Sequence, residues 1–162
     1  MKHYKAPWCK LLILVSALLT ALCLGITFAS WFRPGSRMAG WAGSFPLLLV
    51  AGAALFTIRG YVVTPDAILV QRLLWATRLP RSGLQSARLE PGALRWSLRA
   101  FGNGGFFSIS GLYWNRKLGF YRAYLTDPKH AVLLRYLRRT VVLSPDAPED
   151  FIAELEDARS SA

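Results

Sequence analysis

Between residues 11 and 32 the chain carries no charged side chain, and Lys10 and Arg33 bound this apolar run. As a helix it would be about 33 Å long, enough to cross a hydrocarbon core of roughly 30 Å. A second uncharged run, 38–58, lies between Arg37 and Arg59. Its Pro46 and its glycines suit a soluble helix poorly but are tolerated within a membrane. Ala39, Gly40, Gly43 and Ser44 are small enough to let the second helix lie close against the first. The link Arg33-Pro34-Gly35-Ser36-Arg37 is short and rich in turn residues. The pattern therefore predicts a transmembrane hairpin over 1–58, with spans at about 11–32 and 38–58.

From Arg59 onward the apolar positions change to short runs of period two, broken by turns. Tyr61-Val62-Val63, then Thr64-Pro65-Asp66, then 68–72 reads as a hairpin. Leu94, Trp96, Leu98 and Ala100 alternate with Arg95, Ser97 and Arg99, the pattern of a half-buried strand with a basic outer face. Phe107 and Ile109 alternate with Ser108 and Ser110 in the same way. Further strands are predicted at 75–79, 120–126, 131–134 and 140–143, with a turn at Asp127-Pro128-Lys129. The end of the chain has helical periodicity instead. Asp146 followed by Glu149 has capping-box spacing, and Phe151, Ile152, Leu155 and Ala158 share one face of a helix over about 147–158. The expected second unit, 59–162, is thus seven or so short strands closed by one amphipathic helix.

Particular residues sharpen this order. Arg99-Ala100-Phe101-Gly102-Asn103-Gly104-Gly105 is followed by Gly111-Leu112-Tyr113 and Leu118-Gly119-Phe120-Tyr121. Then come Ala123-Tyr124-Leu125-Thr126 and the closing Leu143-Ser144-Pro145-Asp146 ahead of Phe151-Ile152. Over about 61–157 the chain resembles the bacterial PH-like (pleckstrin-homology-like) domain family of membrane-anchored proteins. The resemblance implies a membrane-anchored α+β protein with a bent antiparallel sheet, or partly open barrel, capped by the C-terminal helix. Phosphoinositide-binding members of the wider family carry a basic cluster in the first hairpin. Thr64-Pro65-Asp66 stands there instead, so headgroup recognition of that kind is not expected.

Charge adds an orientation. The chain has 20 Lys+Arg against 9 Asp+Glu, a net charge of +11 and a mean hydropathy of +0.29, which favours an anionic partner. Lys2, Lys5 and Lys10 precede the first run and many arginines follow the second, whereas the link holds only Arg33 and Arg37. The positive-inside rule then predicts a multi-pass protein of the inner (cytoplasmic) membrane with both termini cytoplasmic. A cleaved signal peptide, ending near Thr27-Phe28-Ala29, competes with the first span. The run exceeds the usual 7–15 residue signal core, which favours an anchor, and cleavage would leave the second span oriented the same way. Cys9 and Cys23 are too few for a disulfide-stapled module or a four-cysteine zinc site. Leu22 before Cys23 does not fit a lipidation signal.

No catalytic pattern emerges. Gly102-Asn103-Gly104-Gly105 lacks the Lys-Ser/Thr of a phosphate loop, since Phe106-Phe107 follows, and reads as a tight bend between strands. His130 has no second ligand or nucleophile pattern around it and reads as a turn-edge residue. Ser108 and Ser110 lack the frame of a nucleophile elbow. Carboxylates between 59 and 139 are only Asp66, Glu90 and Asp127, too sparse for a paired acid–base site. No cofactor or metal is expected.

The remaining signal is basic. Residues 59–139 hold 14 Lys+Arg against 3 acids, whereas 140–162 hold 1 Arg against 6 acids. Arg59, Arg95, Arg99, Arg116, Lys117, Arg135, Arg138 and Arg139 are candidate contacts to anionic lipid, worth about 1 kcal/mol for each one near the surface. Phe101, Gly102, Gly104, Gly105, Phe106 and Phe107 are the candidate interaction surface. The expected function is a non-enzymatic integral membrane protein whose PH-like domain contacts protein, a second copy of itself, or anionic lipid at the inner membrane face. An accessory subunit that regulates or stabilises a membrane enzyme or transporter through its spans is the alternative. Nucleic acid is disfavoured by the tether and by the lack of a binding motif.

Overall fold

The computed structural model describes residues 1–32 and 41–160. The predicted link 33–37, together with Met38, Ala39 and Gly40, lies outside the described residues.

Two sheets carry the fold. The smaller contains β1 (Lys2–Lys5), β2 (Gly60–Val63), β3 (Ala67–Gln71) and β4 (Ala76–Pro80), antiparallel and in chain order. The larger has the order β5-β9-β10-β8-β7-β6, with β5 (Leu84–Leu89), β6 (Leu98–Gly104), β7 (Ile109–Asn115), β8 (Gly119–Leu125), β9 (Val132–Tyr136) and β10 (Thr140–Leu143). Within it only β10 and β8 run parallel, and the short 3-10 turn Pro128–His130 begins the return from β8 to β9. Helices α1 (Lys10–Trp31) and α2 (Phe45–Leu55) lie between β1 and β2 in sequence, and α3 (Pro148–Ser160) closes the chain.

Turn chemistry sets the hairpins. Thr64 accepts from the Ala67 backbone through Oγ1 at 3.1 Å and fixes the β2–β3 turn around Pro65-Asp66. The Asn115 carboxamide oxygen accepts from the backbone N–H of Lys117 and Leu118 at 3.1 and 2.7 Å, closing β7–β8 ahead of Gly119 at φ 68°.

The main core lies between the two sheets and α3, where Tyr61, Ile68, Val70, Leu134, Leu143 and Phe151 are buried. A second cluster covers the opposite face of the larger sheet, where Tyr113, Tyr121, Ala123, Leu133 and Val142 meet Ala93. Residues 132–134 of β9 and 141–143 of β10 are therefore covered on both faces, which is why these stretches read as unbroken apolar runs. Tyr61 joins the sheets by hydrogen bonds: its hydroxyl donates to the Tyr124 carbonyl at 2.7 Å and accepts from the Ser144 N–H at 3.2 Å.

Several elements differ from the sequence reading. Lys2–Lys5 forms an edge strand, with Tyr4 packed edge-on against Phe151 at 5.1 Å. Gly60 opposes Lys5 in that pair, and a methyl on it would come within 2.6 Å of the Tyr4 carbonyl oxygen. The second apolar helix ends at Leu55 and not at 58, because Ile58 is fully buried in the core that the strands build. Residues 91–96 form turns, with Trp96 at φ 57°, and the strand predicted from Leu94 starts at Leu98. Gly102 and Gly104 lie within β6, and the bend comes later, at residues 105–107. The α3 helix matches its prediction in place, with Phe151 and Leu155 buried, but Asp146 does not close a capping box. Its Oδ1 accepts from the Lys5 and Ala147 N–H groups, both at 3.1 Å, and so holds β1.

Candidate functional site

The face of β8, β7 and β6 that continues outward from the main core is not covered by the smaller sheet. It forms one wall of a groove of about 820 Å³, within the usual size of a small-molecule site. The opposite wall is α2, through Leu48, Leu49, Gly52 and Ala53. Gly102 and Gly111 form part of the sheet wall; they pair directly across β6 and β7, each with positive φ (115° and 145°). A methyl on either would overlap the backbone of the other strand, so only glycine lets the strands approach this closely. Phe101, Phe106 and Leu112 make the rest of the lining largely apolar.

Two arginines break that apolar surface. Arg72 follows the end of β3, and only 9% of it is exposed. Its guanidinium lies among the rings of Phe56, Trp75 and Tyr124, 5.4 to 5.8 Å from their centres. Nη1 donates to the Phe56 carbonyl at 2.9 Å and Nε to Thr77 Oγ1 at 3.4 Å. No carboxylate pairs with it among the described residues. Desolvation pushes its pKa down, opposed by Tyr124 and Tyr61. Arg122 is exposed and stands on the same face of β8 as Tyr124, directly across from Leu112. The site thus joins a buried cation, a cation at its mouth and apolar walls. Such a surface complements an anion that carries an apolar chain.

The predicted interaction residues divide. Phe101, Gly102 and Phe106 line the groove, and Phe101 is 80% exposed. Phe107 instead docks the helices onto the domain. Its N–H donates to Ser16 Oγ of α1 at 3.0 Å, and its ring meets Trp8 edge-on at 6.2 Å. Gly104 lies beneath the Arg99 guanidinium, and Gly105 begins the bend. Asn103 caps that bend, accepting from the Gly105 and Phe106 N–H groups at 3.3 and 3.0 Å and donating to the Phe106 carbonyl.

The predicted lipid-contacting cations are brought together less well. The Ile109 and Leu125 ends of β7 and β8 lie on the helix side, where Ser16 reaches Phe107 and the Cys9 N–H donates to the Thr126 carbonyl at 3.2 Å. Arg116 and Lys117 occupy the opposite end of these strands, beside Arg95, about 20 Å away along a seven-residue strand. Lys117 is also paired with Glu90 at 2.6 Å, a contact that holds the Glu90 carboxyl below its usual pKa. Arg135, Arg138 and Arg139 are exposed around the β9–β10 turn, also on the far side, and Arg139 lies over the Tyr136 ring at 4.8 Å. Arg59, beside the end of α2, is the member of the set nearest the helices.

Arg72 and Arg122 were not singled out from the sequence. The readable signal for Arg72 is a lone charge between the apolar run of β3 and Leu73-Leu74-Trp75. Of the small residues in the second apolar run, Gly43 and Ser44 pack against α1. Thr27 donates to the Gly43 carbonyl at 2.9 Å, the Trp31 indole donates to Ser44 at 2.9 Å, and a methyl on Gly43 would collide with Ser30. His130 Nδ1 stands 3.0 Å from the Asp127 carboxylate, and Asp127 also accepts from the Lys129 N–H at 2.9 Å, so the pair fastens a turn.

Two twisted sheets, closed at one end by a C-terminal helix, define a PH-like domain. A model of the bacterial PH domain family matches residues 59–159, and the chain belongs to that family. The matched region begins after α2 and includes every residue of the groove's sheet wall. No curated protein and no solved structure matches the chain.

Proposed function

We propose that the protein is a non-enzymatic, membrane-anchored interaction module. Its helical hairpin inserts in the cytoplasmic membrane, and its PH-like domain works at the inner face, contacting lipid or protein through the uncovered β6–β8 face. The observation that carries this reading is the pairing of β1 with β2. These strands immediately flank the apolar helices in sequence, so the chain leaves the domain at α1 and rejoins it after α2. An inserted hairpin then has both of its ends on one side, in agreement with the flanking lysines and arginines.

Three further features support insertion. Helix α1 is long and apolar enough to span a bilayer, and Leu14, Leu18, Leu22 and Phe28 stand exposed along it. Phe28, Trp31, Phe32, Trp41 and Phe45 gather at the end of the hairpin remote from the domain, as an aromatic belt would. At the near end Leu73, Leu74 and Trp75 form an exposed apolar tip beside Phe56, whose ring meets Trp75 edge-on at 5.2 Å. That tip would seat in the interfacial layer. The described part of the second helix, Trp41–Leu55, is apolar and about 22 Å long.

Impermeant maleimide labelling of cysteines at His3 and at Ala153, in a Cys9→Ala, Cys23→Ala background, tests the topology. Both positions should react only when the cytoplasmic face is opened. Labelling of either one from the outside of intact cells refutes the reading.

A further inference from the structure

Arg72 is costly where it is: a residue nine-tenths buried, its guanidinium held by rings and neutral oxygens, with no carboxylate paired to it among the described residues. Rings and neutral oxygens offset part of the desolvation of such a charge, and an opposite charge reaching it would offset more. The groove opens onto Arg72, and Arg122 adds a second cation to its lining. The rest of the wall offers no charge. Leu48, Leu49 and Ala53 of α2 face Phe101, Phe106 and Leu112 across a space that suits a hydrocarbon chain.

We propose that this groove holds one anionic membrane lipid. Its phosphate meets Arg72 and Arg122, and an acyl chain runs along α2 toward Leu48. The inference deepens the membrane reading and rests on it, since α2 lies in the bilayer there. Charge and shape select the occupant: an apolar partner helix would fill the walls but leave Arg72 without a counter-charge. The site is also separate from the β2–β3 turn at Pro65-Asp66. It lies between the hairpin and the domain, so the lipid fastens the two together.

The test is native mass spectrometry of the full chain released from nanodiscs. The nanodiscs contain either phosphatidylglycerol mixed with phosphatidylcholine or phosphatidylcholine alone. One phosphatidylglycerol should stay bound, with phosphatidylcholine at least tenfold less occupied. Arg122→Gln, an exposed change, and Arg72→Met should each lower phosphatidylglycerol occupancy by about tenfold. Gly52→Phe fills the groove from α2 at a position where an added Cβ meets no neighbour, and should abolish retention in a folded protein. Equal retention of both lipids, or retention unchanged in Gly52→Phe and Arg122→Gln, overturns the proposal. So does a polypeptide found in the groove in place of lipid. Nitroxide depth measurements on α1 report insertion separately: a buried label with no retained lipid refutes the groove and leaves the anchor standing.

Discussion

Replacing Tyr61 with phenylalanine removes one oxygen from a fully buried ring at the junction of the two sheets. That oxygen donates to the Tyr124 carbonyl at 2.7 Å and accepts from the Ser144 N–H at 3.2 Å. Ser144 is itself fully buried and already committed, its Oγ accepting from Thr126 N–H at 2.9 Å and Asp127 N–H at 3.3 Å. No water can enter to replace the lost hydroxyl without opening the core. Two buried backbone groups left without a partner cost about 2–6 kcal/mol in total. That is a large share of a stability of about 5–15 kcal/mol. Denaturant unfolding of the full chain in mild detergent, followed by tryptophan emission, measures the loss. A change below about 0.5 kcal/mol, the range of a surface substitution, refutes the argument.

The same substitution has an alkaline signature. Burial pushes the Tyr61 phenol up to about 12 from an ordinary 10. Below pH 10 both folded and unfolded states hold the proton, and the stabilisation is complete. Above pH 10 the unfolded chain releases its proton first, so stability falls as pH rises toward 12, by at most about 3 kcal/mol from this group. The phenylalanine variant has no phenol at that position, so the gap between it and the wild type should narrow over that window. Burial also raises Tyr4, Tyr113, Tyr121 and Tyr136, but they occur in both proteins and cancel. A gap that stays constant to pH 12 refutes the assignment.

Gly111→Ala should lower the melting temperature sharply, by about 3 kcal/mol or more in equivalent stability. The added methyl meets the Phe101 carbonyl, and φ of 145° is strained for any L residue. Glu90→Gln should change stability by less than about 1 kcal/mol and lose that difference in high salt, because its partner Lys117 is exposed. Leu74→Asp, at a tip that is 74% exposed, should leave the fold intact in detergent and weaken seating on vesicles, read as less protection of Trp75 from an aqueous quencher.

Legibility followed how strongly local pattern and tertiary environment agree. Strands β2, β3, β8, β9 and β10 are apolar runs between clear turns, and α3 carries its own periodicity, so both kinds of element could be read directly. β1 could not be. It has four residues, two of them lysine, and only Tyr4 and Ala6 spaced two apart hint at a buried face. β5, Leu-Gln-Ser-Ala-Arg-Leu, lies at a sheet edge and is half-polar on both sides, with no β-branched residue to mark it. The alternation from Leu94 to Ala100 misleads because Ala93 is drawn under the sheet against Tyr121, which turns residues 91–96 out of strand geometry. For the site, the sequence located the glycine-rich β6 segment but assigned its glycines to a bend. Gly102 is required by the close approach to Gly111, a pairing visible only once the strands are aligned. The conspicuous basic clusters drew attention to the far end of the sheet. Arg72 has the greater consequence because of its burial, which an isolated charge in the sequence does not reveal.

The depth of the hairpin and domain in a bilayer bears on the central claim most directly. Nitroxides placed singly at Ala21, Leu49, Leu74 and Arg116 of the full chain in anionic vesicles are read by power saturation against oxygen and a water-soluble nickel chelate. The account predicts oxygen-dominated collisions at Ala21 and Leu49, an interfacial balance at Leu74, and nickel-dominated collisions at Arg116. Nickel-dominated collisions at Ala21 and Leu49 would contradict it.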